Sequence, residues 1–212
     1  MKKIFTFLIL IIFLICLIPT KDNAKVEASQ QSIASKIIRF HVIANSDTAA
    51  DQALKLKVRD GILNYLTPKL NVSENLAKSR EILKENNEEV LKISRKIIKD
   101  NGYCYNVVSS LETDNFPVKS YGDLTLPQGS YEAYRVIIGS GQGKNWWCVM
   151  FPPLCFVDLS KGQVSQTESD KRIKKVLTED EYKLIDSSSK DKPKEVKIQY
   201  KFKIVEFIKK LF

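Results

Sequence analysis

The sequence predicts an α+β fold: an N-terminal strand, two helices packed on a mainly antiparallel sheet, then a basic C-terminal extension. Two pattern changes point to it. Apolar residues recur at helical spacing between Ala50 and Ile98, and after Gly102 the chain switches to short aromatic and β-branched runs broken by Pro and Gly. Charge marks the extension. Residues 171–212 hold 13 Lys or Arg against 7 Asp or Glu, whereas residues 29–170 hold 17 against 16.

The first segment reads as a leader. Lys2 and Lys3 precede Ile4–Ile18, which is apolar except for Thr6 and shorter than the roughly 20 residues a spanning helix needs. Val26-Glu27-Ala28 places a cleavage point before Ser29, and Cys16 lacks the preceding small residue of a lipoprotein signal. An uncleaved anchor would present the same outward-facing domain. Residues 1–28 are therefore expected to be a signal peptide, 29–170 a globular α+β domain, and 171–212 a basic helical and extended region with a linker at 187–194. A hydrophobic content of 43% suits a packed domain of that length.

Lys36–Ala44 is the predicted first strand. Asp47 or Thr48 caps the next helix, Asp51 lies in its first turn, and Ala50, Leu54, Val58, Ile62 and Leu66 form one face until Pro68 ends it. A second helix starts near Ser73, carries Leu76, Leu83, Val90 and Ile97, and closes at Asp100-Asn101-Gly102. Strands follow at 103–112 and within 116–139. Tyr131–Gly139 and Asn145–Met150, separated by SGQGK, read as a hairpin. In the extension, Lys171–Ile185 is predicted helical with Thr178 and Glu181 as a capping-box pair, and EVKIQYKFK and IVEFIKKLF follow the linker.

NWWCVMFPPLCFVD, residues 145–158, is the least ordinary stretch. Its tandem prolines fix φ and lack donors, so a strand must turn or stop pairing there. Structurally it is a strand ending in a rigid turn. As a binding element, Trp146, Trp147, Phe151, Pro152, Pro153 and Leu154 would form an apolar knob of the kind that anchors interfaces. Cys148 and Cys155 flank the prolines, so a disulfide is plausible in an exported chain, while buried free thiols are the simpler account.

Chemistry is harder to find. His41 would need to activate Cys148 or Cys155, yet both thiols sit in an apolar segment that should raise their pKa. GSGQGK, residues 139–144, has the wrong glycine spacing for a phosphate loop and precedes a strand-like segment. Asp114, Asp123, Glu132 and Asp158 scatter around turns. One His in the chain argues against a conventional zinc site, and nothing implies a cofactor. The basic extension suits an anionic membrane surface, an acidic wall polymer or an acidic partner, or is simply solvated, and nucleic acid is a poor partner outside the cytoplasm.

HVIANSD (41–47), DQALKLKVRD (51–60) and FPVKSYGDLTLPQGSYEAYRVIIGSGQGKNWWCVMFPPLCFVD (116–158) together resemble the stage II sporulation protein R family. The resemblance implies a non-enzymatic signal made in the forespore and exported into the space between its two membranes. There it would trigger a membrane-embedded aspartic protease of the mother cell to process the sigma-E precursor. An exported wall- or lipid-associated binding module is the alternative. Asn45, Ser46 and Asp47 suit either a partner group or a helix cap. Cys104 matches no family cysteine.

Overall fold

The computed structural model describes residues 29–154 and 166–188. Helical residues 29–34 lead into β1 (Ile38–Ile43), followed by α1 (Ala49–Asn71), α2 (Leu76–Glu85), α3 (Asn87–Asp100), β2 (Val107–Phe116), β3 (Lys119–Tyr121), β4 (Leu124–Leu126), β5 (Gly129–Ile138), β6 (Asn145–Phe151), α4 (Gln166–Lys174) and α5 (Glu179–Ile185). The α+β class holds. The main sheet runs β2-β5-β1-β6 with β1 and β5 parallel and the other two ladders antiparallel, and β3 and β4 form a small antiparallel hairpin.

Thr48 caps α1, its hydroxyl accepting from the Asp51 amide at 3.2 Å, and Leu54, Val58, Ile62, Leu66 and Leu70 line the buried face. Pro68 does not end the helix. It and Asn64 are exposed, so the carbonyl that Pro68 cannot satisfy faces water, while buried Leu66 and Leu70 hold the last turn on the core. The second predicted helix is two. Asn86 leaves helical geometry at φ −96° and ψ 4°, its side-chain Nδ2 donates to the Ile82 carbonyl at 2.7 Å, and its Oδ1 accepts from Tyr65 at 2.7 Å. At the end of α3, Gly102 adopts φ 82° and Tyr103 N donates back to the Ile98 carbonyl at 3.1 Å, a Schellman closure.

Helices α1 to α3 cover one face of the sheet, packing Leu54, Val58, Ile62, Leu83 and Val90 against Phe40, Val42, Tyr134, Val136 and Met150. The opposite face is covered too, which explains why β1 is buried along its length instead of alternating. There Ile33, Ile37, Phe116, Leu124, Leu126, Tyr131 and Val149 meet Ile173 and Leu177 near α4 and Ile185 of α5. The packed unit thus extends past residue 170. Leu124 bridges to Asp186, and Ser187, placed in the predicted linker, donates to the Asp123 carbonyl at 2.7 Å. The segments EVKIQYKFK and IVEFIKKLF, Cys155 and the leader 1–28 lie outside the described residues. No helix of the described residues is long and apolar enough to cross a membrane.

The capping box at Thr178 and Glu181 is present, and it is also a tertiary tie. Glu181 accepts from Ser32 at 2.6 Å and from Lys36 at 2.6 and 2.7 Å, joining α5 to the start of the domain. Burial works against its ionisation, but the hydrogen bonds from Lys36, Ser32 and Thr178 outweigh it and hold the carboxyl down to about 2. Because the folded value lies below the unfolded one, the stability Glu181 contributes is complete above about 4.5 and is lost as pH falls toward 2. Glu181→Gln is expected to cost roughly 2 kcal/mol at neutral pH and to flatten that acid limb in urea titrations.

Candidate functional site

Two groups of residues meet around β1, one at its end and one on its face. Loop 139–144 is not a hairpin turn. Because β1 lies between β5 and β6, the loop arches over the end of β1 and is stitched to the residues that follow it. Gly143 N donates to the Ala44 carbonyl at 2.9 Å, Ser140 Oγ to the Asn45 carbonyl at 2.7 Å, and Lys144 N to Asp47 Oδ1 at 2.6 Å. Asp47 therefore fastens the loop while Thr48 does the capping. Gly139, at φ 60°, lies so close to Asn45 that any Cβ there would overlap its side chain. Asp51 accepts from Asn45 at 2.9 Å and Ser46 at 2.6 Å, and the Ser46 and Asn45 hydrogen bonds hold its carboxyl below the usual range despite burial. Asn45, Ser46 and Asp47 are thus engaged with their own fold.

Strand β6 carries the tryptophans. Period two sends Trp146 and Trp147 to opposite faces. Trp146 meets Phe40 edge-on at 5.8 Å on the helical side and lies beneath Arg59, whose Cζ is 4.9 Å from the ring. Trp147 stacks on His41 at 5.0 Å and 7°, meets Phe116 at 4.9 Å, and has Lys119 Nζ 5.8 Å above it. Both rings are half-buried. The rest of the expected knob is core. Phe151 is 5% and Leu154 2% exposed, and Pro152 and Pro153 are buried with them, so these four residues present no free anchor. A register shift between Ile38 and Arg39 skips Met150 and turns Phe151 to the helical face, a displacement that residue types alone do not reveal.

The face under Trp147 is polar at its centre. Arg39 is fully buried, with its Cζ 4.4 Å from Phe116 and 4.8 Å from Tyr131, its Nη2 donating to Tyr121 at 3.0 Å and its Nε to the Cys148 carbonyl at 3.3 Å. His41 Nε2 lies 3.3 Å from Asp114, which also meets Arg135 at 3.3 Å, and Arg135 pairs with Glu112. Burial brings His41 down to about 4, helped by Arg135 and Arg39 and opposed by Asp114 and Glu112. It is neutral at pH 7. Cys148 points to the other face and is disulfide-bonded, so it is neither a free thiol nor a nucleophile for His41. The pairing with Cys155 falls outside the described residues. Cys104 is free and exposed.

This arrangement makes a pH prediction. Above about 6.5, His41 is neutral folded or unfolded. Between 6.5 and 4 the unfolded chain takes a proton that the folded one refuses, so stability should fall by up to about 1.4 kcal/mol per pH unit. His41→Gln should remove that component, read as a shallower decline of the urea midpoint over the same window.

Sequence comparison gives the arrangement a context. A family model described as stage II sporulation protein R matches residues 34–161, which include β1, the arched loop and β6. Stage II sporulation protein R of Bacillus subtilis (strain 168) is 31% identical over 215 residues, covering 99% of this chain and 96% of that protein. No solved structure matches.

Proposed function

The chain belongs to the stage II sporulation protein R family, and from that membership we propose that it is an exported signal activating a membrane-embedded aspartic protease of the mother cell. Its role lies in sporulation. In this reading the leader 1–28 takes it out of the forespore into the intermembrane space. The folded domain then binds the extracytoplasmic face of the protease and favours its active assembly, which processes the sigma-E precursor. A ligand shifts such an equilibrium only by its differential affinity for the two states, so the contact must be stronger in the active assembly.

The observation that carries the reading is the family match across the unusual β6 segment. The surface that serves it is narrower than the sequence suggested: Trp146 beneath Arg59 and Trp147 beneath Lys119, one on each face of the strand. Half-exposed tryptophans flanked by cations offer large rigid contact area together with charge, a composition typical of binding hot spots. The test is to supply the wild-type chain from the opposite compartment to cells making protease and precursor. Processing that depends on the chain is the expected result, and unchanged precursor would sink the proposal. If the chain instead sediments with anionic vesicles or peptidoglycan and leaves the protease unaffected, the wall- or lipid-binding reading takes its place.

A further inference from the structure

Strand β2 is an edge of the main sheet, paired only with β5. Natural sheet edges are blunted by charge, proline or bulges. The first half of β2, VVSSL from Val107 to Leu111, has none of these, and Val108 is 48% exposed. Charge begins only at Glu112, and Glu112 and Asp114 are both engaged by Arg135.

Beside this neutral edge, the end of α2 and the start of α3 border an open cleft of about 280 Å³ lined by Leu83, Lys84, Asn87, Ser109, Leu111 and Tyr134. Leu111 gives it an apolar wall, and Leu83 and Tyr134 are buried beneath it. Asn87 Oδ1 is fixed by Ser109 at 2.6 Å and Tyr134 at 2.8 Å. Lys84 is the cation among the lining residues, it is exposed, and it takes part in no ion pair among the described residues.

We infer that the Val107–Leu111 edge and its adjoining cleft are a docking site for an extended segment of a partner protein, which adds to β2 and directs a carboxylate side chain to Lys84. A helix beside an open edge strand suits this mode: main-chain hydrogen bonds give affinity, and alternate side chains read the cleft. Charge complementarity selects the occupant. A second copy of this chain would bring another neutral VVSSL and another lysine, with its own strand acids already held by Arg135. The inference rests on the signalling reading, in which the segment belongs to the extracytoplasmic face of the protease.

Hydrogen exchange on the whole chain, with and without detergent-solubilised protease, reads this surface directly. Exchange of the Val107–Leu111 amides that do not bond β5 should slow on binding, and Lys84→Glu and Val108→Lys, both at exposed positions, should each weaken binding by about tenfold with melting unchanged. If the protease binds without slowing those amides and tolerates both variants, the docking site is overturned and the signalling reading survives. Failure of the protease to bind wild-type chain overturns both. Slowing that appears with chain concentration alone identifies a second copy as occupant and rejects the partner assigned here.

Discussion

Arg39→Ala should cost about 4 kcal/mol of stability, and Arg39→Met less than half of that. Arg39 is a fully buried cation that forms no ion pair among the described residues; its charge is offset by the faces of Phe116 and Tyr131, by Tyr121 and by one carbonyl. Burial lowers its pKa, and Tyr121 and Tyr131 act in the opposite direction. Removing one member of a buried ion pair leaves an orphan charge; removing Arg39 instead leaves a cavity in an aromatic cage and takes its hydrogen bonds from the Tyr121 hydroxyl and the Cys148 carbonyl. Methionine refills most of that space with a polarizable chain that suits aromatic neighbours. Urea denaturation separates the contributions. Equal losses for Ala and Met would assign the stability to the guanidinium hydrogen bonds instead of to packing.

Trp147→Ala is expected to cost about 3 kcal/mol, and Trp146→Ala about half as much, because only Trp147 closes over a buried polar group. Trp147 lies flat on His41 and fills the corner made by Phe116, whereas Trp146 touches the core through Phe40 and otherwise spans the surface under Arg59. The two substitutions therefore have different signatures. Losing Trp147 lets water reach His41, so its pKa should rise from about 4 toward the ordinary imidazole value and the acid decline in stability should start to fade. An NMR titration of His41 shows this. An unshifted titration in Trp147→Ala would mean that neighbouring Arg39 and Arg135, not burial under the ring, keep the histidine neutral.

Local rules were readable along the chain. The α1 stripe from Leu54 to Leu66, the Gly102 closure and the Thr178–Glu181 box depend on residues a few positions apart, and each is where that chemistry places it; Ala50, expected on the same stripe, is exposed, and of the two candidate caps Thr48 is the one used. What could not be read depends on partners distant in sequence. The helix passes Pro68 because Leu66 and Leu70 are held by the core, and the break at Asn86 uses the hydroxyl of Tyr65. Adjacent strands β5 and β6 resemble a hairpin until β1, about a hundred residues earlier, is inserted between them. The same insertion buries the end of β6, so the apolar residues expected to anchor a partner became core, and only the two tryptophans kept an exposed share. Arg39 and His41 alternate with Phe40 and Val42 along the predicted first strand. The covering β3–β4 hairpin and α5 make them the buried centre of a second layer.

In the proposed signalling role, the folded domain presents Trp146 to the protease. Processing of the sigma-E precursor is measured in cells supplied from the forespore with either wild-type or Trp146→Ala chain, with the melting and abundance of the chain followed in parallel. The prediction is that wild-type chain supports processing, whereas Trp146→Ala remains folded and abundant yet lowers processing by at least about tenfold, the loss of one interface anchor. Undiminished processing by the folded Trp146→Ala chain would contradict it.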